Sequence, residues 1–203
     1  YKLELQDGEN KVVITAWDDE GRTASLTFTI YGTAVEDGGR IGKATISVEA
    51  STIGLGYLIP PTKVDIHQGK PTTYILDQLL SDYGFGYEFT GAHENNFYLS
   101  VITKENMVVN PSIPEDLAPL VEEASDFYDP ESYHENSLGE FDFANGSGWM
   151  YSVNGSYPNF GVADSYLNDG DVVRVRFTLH YGKDIGGYGS TGQGSGGDWY
   201  KEW

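Results

Sequence analysis

The sequence predicts an α+β fold in which a mixed sheet is crossed by one helix, and three observations support this prediction. Short segments of alternating apolar and polar residues recur along the chain, which is the period of half-buried strands. Segment 72–84 instead spaces its apolar residues three and four positions apart, as one face of a helix does. Finally, 26 glycines and no cysteine among 203 residues favour strands and turns over a helical bundle or a disulfide scaffold.

Residues 1–32 alternate cleanly and predict three strands, joined by turns at DGEN and DDEGR. This order resembles the last three strands of bacterial immunoglobulin-like surface domains. A complete sandwich needs about seven strands, so we expect a separate small sheet. Leu3, Ile14 and Phe28 should then require cover from a second chain or the aromatic tail, and self-association through 1–32 would provide it.

The main predicted domain, 43–185, follows a glycine-rich acidic linker, 33–42. Its predicted elements are strands 43–50 and 62–69, helix 72–84, strands near 86–91 and 97–103, a weaker helix over 115–129 capped by Asp116, and strands 149–153 and 171–181. This is the order of a β-grasp domain, a ubiquitin-like roll whose first and last strands lie parallel at the sheet centre beneath the helix. We therefore expect 43–50 and 171–181 to pair in parallel.

Two details of the elements can be predicted as well. Thr72 or Thr73 should cap the helix, and Gly84 should end it. In the final strand, apolar residues from Val173 to Leu179 alternate with polar residues from Arg174 to His180. This alternation fits a sheet that the helix covers on one face and that is open to solvent on the other.

The stretch 148–171 carries the most specific signature of the chain: W-x-Y-x-V-N-G, a short aromatic loop and a D-G-D turn. Together with the upstream element order, it resembles the transcobalamin C-terminal-like β-grasp family over about residues 43–185. The matching residues are Trp149, Tyr151, Val153, Asn154, Gly155, Gly161, Ala163, Asp164, Tyr166, Asp169, Gly170, Asp171 and Val173. That family includes the cap domain of animal cobalamin carriers and domains of Gram-positive surface proteins. The resemblance implies an extracellular or cell wall-associated protein. Because YKLELQDGEN has no signal-peptide features and is typical of the middle of a strand, we also expect the chain to be a piece of a longer protein.

The charge and the motifs narrow the function classes. A formal charge of −19 repels phosphate backbones and anionic membranes, so we expect neither nucleic-acid binding nor membrane insertion of this fragment. Nucleophile motifs, phosphate-binding loops and zinc spacings are missing, so we expect no enzyme. No cofactor is expected. Calcium on the acidic turns WDDEG and YLNDGD is a weaker alternative to plain solvation of those acids.

The candidate ligand-binding residues are aromatic and follow the signature: Trp149, Tyr151, Tyr157, Phe160 and Tyr166. In the cobalamin carriers, the hairpin and the loop after it cover one face of a corrinoid, which implies a ligand contact in the same region. A tight hairpin turn is sufficient reason for Asn154-Gly155 in the signature. Trp149 is either a core anchor or a platform on which a ligand stacks. Tyr157 and Phe160, beside the stiff Pro158, have no obvious core to fill.

Two functions therefore remain open. One is a non-catalytic binding module for a small molecule, corrinoid-like or otherwise, a glycan or a surface protein. The other is a structural or adhesive stalk whose aromatic residues belong to its core, and burial of Tyr157 and Phe160 would favour it. The Gly/Ser-rich tail, 186–203, is expected to be anchored by Trp199, Tyr200 and Trp203.

Overall fold

The structure is a computed structural model that describes residues 3, 5–33, 35–191 and 199. These residues form a mixed, β-rich fold with two α-helices and three sheets. In chain order the elements are β1 (Gly8–Trp17), β2 (Thr23–Gly32), β3 (Arg40–Ala50), β4 (Gly56–His67), α1 (Thr72–Asp82), β5 (Gly86–Ala92), β6 (Asn95–Thr103), α2 (Ala118–Ala124), β7 (Ser137–Gly139), β8 (Gly148–Val153) and β9 (Val172–Thr178).

The central sheet has the strand order β4-β3-β9-β8. Its middle pair, β3 and β9, is parallel, with Thr45 opposite Val172 and Glu49 opposite Arg176. The predicted parallel pairing of 43–50 with 171–181 is thus confirmed, although β9 ends at Thr178 because the chain then turns so that Asp184 accepts a hydrogen bond from Leu179 N at 2.6 Å. Strand β3 also begins earlier than predicted, so 40–42 of the expected linker belong to it.

The hydrophobic core lies on one face of this sheet, where Ile46, Val48, Val173 and Phe177 are buried. Helix α1 contributes Ile75, Leu76, Leu79 and Leu80 to the same hydrophobic cluster. Each such side chain stabilises the fold by about 1.5–3 kcal/mol. The helix stops where predicted, since Gly84 adopts the left-handed conformation with φ 71°.

The predicted threonine cap of α1 is wrong. Pro71 precedes the helix, and no side chain caps its first turn. Both threonine side chains are buried and make tertiary contacts instead. Thr72 Oγ1 donates to Ser165 O at 2.8 Å, and Thr73 Oγ1 donates to His93 O at 2.5 Å. Because each threonine hydroxyl donates to the backbone carbonyl of a distant segment, neither hydroxyl caps the N–H groups of the first helical turn.

The opposite face of the sheet, predicted to be open, is largely covered. Arg176, Thr178, His180 and Glu49 are all buried. The chain after β9 folds back across this face, where Gly187 packs tightly against the side chains of β8 and its hairpin. Burial by itself raises the pKa of Glu49, but hydrogen bonds from Arg174 and Ser47 and the nearby positive charge of Arg176 together hold it below its ordinary 4.5.

Strands β5, β6 and β7 form a second sheet in the order β5-β6-β7. Strand β7 lies between the predicted helix 115–129 and the predicted strand 149–153, where no element was predicted, because three residues are too few to show an alternation. Helix α2 is shorter than the predicted 115–129, and the residue at its N-cap position is Leu117 and not the predicted Asp116. Among the described residues, no helix is long and apolar enough to cross a membrane.

The N-terminal strands β1 and β2 form a separate antiparallel sheet, as expected, and among the described residues it has two strands. Residues 1, 2 and 4 of the predicted first strand lie outside the described residues. Leu3, Leu5 and Gln6 lie outside any strand, and the predicted turn DGEN is largely the start of β1. In this single chain Leu3, Ile14 and Phe28 are 54%, 58% and 42% exposed. Their cover by a second chain or by the aromatic tail stays a prediction, and 192–198 and 200–203 of that tail lie outside the described residues.

Candidate binding site: an aromatic cleft beside strand β8

A cleft of about 320 Å³ lies beside β8, the edge strand of the central sheet. We call it the aromatic cleft, because its walls include Phe97, Tyr98, Trp149, Tyr151 and Phe160. Strand β6 and the loop after the β8 hairpin complete it, with Asn159, Ser190 and Thr191 as its polar lining. Among the described residues, those that line it carry no charge.

The hairpin after β8 positions this loop through backbone geometry. Asn154 and Gly155 both have positive φ, 51° and 81°, as a type I′ turn requires. The Asn154 side chain also reaches the start of β9, accepting from Val172 N at 2.9 Å and donating to Asp171 Oδ1 at 2.8 Å. Backbone geometry and these two hydrogen bonds therefore explain why Asn154 and Gly155 occupy this turn.

Trp149 forms the deep wall of the cleft and belongs to the core. It is 9% exposed, its Nε1 donates to Leu138 O at 2.9 Å, and its ring meets Phe177 edge to face at 5.3 Å. Of the two roles open to Trp149, the core anchor is thus the observed one. Trp149 is also among the residues that line the cleft.

Tyr151 connects the cleft to its loop. Its hydroxyl donates to Phe160 O at 3.0 Å, which holds the loop near the strand. Burial raises the pKa of Tyr151 to about 12, so the hydroxyl stays protonated and keeps donating at any physiological pH. Phe160 itself is 51% exposed at the mouth of the cleft, where its ring is free to stack on a ligand.

The two other predicted site residues lie elsewhere. Tyr157 packs against Gly187, and its hydroxyl accepts from Arg176 Nη1 at 3.3 Å on the other face of the sheet. Burial raises its pKa. Tyr166 is 57% exposed and is not among the residues that line the aromatic cleft. The expectation that both Tyr157 and Phe160 lack packing partners is therefore wrong for Tyr157, because the segment after β9 supplies them.

Phe97 and Tyr98 of β6 are cleft residues that the sequence interpretation missed. The alternation of their segment indicates a strand, but it says nothing about which strand lies beside it. The approach of β6 to β8 is set by the packing of both on the shared core. No local signal could have identified these two residues as a wall of the site.

The acidic turns that suggested calcium use their carboxylates internally. Asp18 Oδ1 accepts from the backbone N–H groups of Glu20 and Arg22, at 3.0 and 2.9 Å. In the second turn, Asp169 Oδ1 accepts from Lys43 N at 2.7 Å, which ties the turn to β3. Over the described part of the chain, no three metal-binding side chains converge.

Comparison with known families gives one match, which covers a minority of the chain. Residues 135–179 match DUF4430, a domain of unknown function and a transcobalamin-like family. The matched range contains strands β7, β8 and β9, the N-G hairpin and the cleft residues Trp149, Tyr151 and Phe160. No curated protein matches the chain.

Proposed function

We propose that this chain is a non-catalytic, extracellular or cell-surface binding module that holds a ring of a small molecule or glycan in the aromatic cleft. The observation that carries the proposal is the cleft itself, in which five aromatic side chains surround an open, uncharged space. Ligand sites of proteins are commonly concave, mostly apolar and provided with a few polar groups that fix orientation. Asn159, Ser190 and Thr191 are the polar groups here.

The size of the cleft limits the ligand class. A volume of about 320 Å³ is at the lower end of the range of about 300–1,000 Å³ typical of small-molecule sites. It fits one or two rings, so a corrinoid would insert only an edge and a glycan only a terminal unit. With no charge in the lining and a formal charge of −19 overall, a neutral or cationic ligand is favoured over an anion.

We further propose the wider context that the family resemblance implies. The main domain would be a β-grasp of the transcobalamin C-terminal-like type on a Gram-positive surface protein, preceded by the end of an immunoglobulin-like domain. The parallel central pair β3–β9, with α1 on the core face, supports the β-grasp assignment. The DUF4430 match over 135–179 supports the transcobalamin-like part of it.

The test is isothermal titration of the protein with cyanocobalamin and with a panel of oligosaccharides, repeated with Phe160→Ala. Losing the exposed ring should weaken binding about tenfold, the equivalent of one stacking contact of about 1.4 kcal/mol. Because Phe160 is 51% exposed, the melting temperature should change by no more than about 2 °C. Tyr98→Ala, on the opposite wall, should weaken binding in the same direction.

Phe127→Ala is the matched control, since Phe127 is 46% exposed and lies outside the cleft. It should leave both the affinity and the melting temperature unchanged. If no probe binds, or if Phe160→Ala and Phe127→Ala weaken binding equally, the cleft is not the site. The alternative function, a structural or adhesive stalk without a small-molecule ligand, would then be favoured.

A further inference from the structure

A second cleft of about 460 Å³ opens on the other face of the central sheet. We call it the arginine cleft, because Arg174 and Arg176 line it together with Ser152, Gly155, Tyr157 and Gly186. The chain has 12 lysines and arginines against 31 acidic residues, yet the described residues that line this cleft include two arginines and no carboxylate.

The strand register places the two arginines side by side. Both point to the same face of β9 because they are two residues apart, and Ser152 of β8 lies opposite Arg174. On the β3 side, Glu49 binds Arg174 in a two-pronged ion pair, with Nε and Nη2 at 2.9 and 2.7 Å from its two oxygens. Ser47 Oγ donates to the same carboxylate at 2.6 Å. Glu49 is thus committed mainly to Arg174 and Ser47.

Arg176 is buried with much weaker contacts. Its side chain is only 3% exposed, and its Nε lies 3.5 Å from Glu49 Oε2. Nη1 donates at 3.3 Å to two neutral acceptors, Tyr157 Oη and Ile185 O. Hydrogen bonds of a guanidinium to a carboxylate are usually about 2.7–2.9 Å long, and a buried cation is costly unless such bonds compensate it.

Asp184 is the other buried carboxylate that attracts Arg176 electrostatically. Its oxygens accept hydrogen bonds from Leu179 N at 2.6 Å and from Thr178 Oγ1, which fold the chain back after β9. Asp184 does not line the arginine cleft. The described lining of the arginine cleft thus contains the buried side chain of Arg176 and no carboxylate.

We propose that the arginine cleft binds an oxyanion, the carboxylate or phosphate group of a small ligand, with Arg176 as its cationic donor. The Tyr157 hydroxyl accepts from Arg176 and still has its own O–H to donate to the anion. Ser152 Oγ and the backbone of the N-G turn at Gly155 complete the polar lining. This proposal does not depend on the function of the aromatic cleft.

The experiment follows the arginine Nε–Hε signals of the ¹⁵N-labelled protein during titration with inorganic phosphate and, separately, with succinate. The added phosphate or succinate replaces chloride at constant ionic strength, so that the screening of charges does not change. The Arg176 signal and the Gly155 and Gly186 amides should move together and saturate, with a dissociation constant of about 1 mM or tighter. Comparing the two titrations tells which oxyanion the cleft prefers.

Arg22 and Arg40, which pair with Asp18 and Asp65 on the surface, are internal controls. A saturable change that is equally large at these arginines would mean an adventitious ion only, and no saturable change at Arg176 would overturn the proposal outright. Arg176→Lys should weaken binding at least about tenfold, because an ammonium cannot form the planar, two-pronged contact, whereas Arg40→Lys should not.

If Arg176→Lys fails to fold, Tyr157→Phe gives the same information without removing the buried charge. It keeps the ring that packs against Gly187 but lacks the hydroxyl, so the anion should bind several-fold more weakly. Unchanged affinity in Tyr157→Phe would remove Tyr157 from the site. Phe160→Ala should bind the anion as the unmodified protein does, which separates this result from the test of the aromatic cleft.

Discussion

Trp149 and Phe160 belong to the same sequence signature but differ in what surrounds them. Trp149 has a hydrogen-bond partner for its indole N–H and an edge-to-face neighbour, so it is part of the core. Phe160 has no polar side-chain atom and no ring neighbour among the described residues, and half of it faces solvent. At the scale of single residues, an aromatic side chain is structural or available to a ligand according to its burial and its polar partners, not its position in a motif.

The burial of Trp149 gives a prediction about stability. Trp149→Ala should lower the free energy of unfolding by about 3–5 kcal/mol, because it removes a large buried ring and leaves Leu138 O without its donor. Urea unfolding followed by circular dichroism measures this. Trp17→Ala is the control, since Trp17 is 74% exposed and its loss should change the value by less than about 0.5 kcal/mol. Equal effects of the two changes would contradict the core role of Trp149.

At the scale of elements, the parallel pair β3–β9 depends on the turn that leads into β9. Asp169 in this turn accepts from Lys43 N of β3 at 2.7 Å, and Gly170 N donates to Lys43 O at 2.8 Å. The turn can approach β3 this closely because Gly42 has no side chain. A Cβ built there would lie 2.6 Å from Asp169 Cβ. Gly42 is thus a packing requirement of the sheet.

Gly42→Ala should therefore destabilise the protein by about 1–3 kcal/mol, the usual cost of overpacking. The change should displace Asp169 and weaken the contact that holds β9 beside β3. Gly189→Ala is a matched control, because a Cβ at Gly189 would meet no atom within 4 Å. Chemical denaturation of the two variants makes the comparison. A neutral effect of Gly42→Ala would mean that the turn can move away without loss of pairing.

At the scale of the whole molecule, the β1–β2 hairpin and the central sheet differ in how they are stabilised. Strands β3 and β9 share a buried core with α1, whereas β1 and β2, within the described part of the chain, pair with each other alone and expose most of their side chains. An isolated two-stranded hairpin is marginally stable in water. The chain should therefore unfold locally at its N-terminal sheet before its core does.

Hydrogen exchange followed by mass spectrometry should reveal this difference. Peptides from β1 and β2 should exchange rapidly, while those from β3 and β9 should exchange only through global unfolding. The β5–β6 hairpin is the internal control, because Phe97, Leu99 and Ile102 bind it to the core and should slow its exchange. Protection of β1 and β2 that rises with protein concentration would instead reveal self-association through 1–32.

Much of the local structure could be predicted because it depends on neighbouring residues. The apolar stripe of Ile75, Leu76, Leu79 and Leu80 identified α1, and the positive φ available to Asn154-Gly155 identified the hairpin. The order of the elements also predicted the parallel pairing of β3 with β9. Periodicity, turn chemistry and connection order are all written in short stretches of sequence.

Both clefts depend on contacts between residues that are far apart in the chain. Only the tertiary structure decided these contacts. The approach of β6 to β8 creates the aromatic cleft, and the segment after β9 covers the polar face of the sheet and packs Tyr157 against Gly187. The same segment contributes to the arginine cleft, around two residues that alternation assigned to solvent. Alternation shows which residues of a strand share a face. Whether that face is buried depends on the distant segment that packs on it, because contact with that segment supplies the favourable free energy of burial.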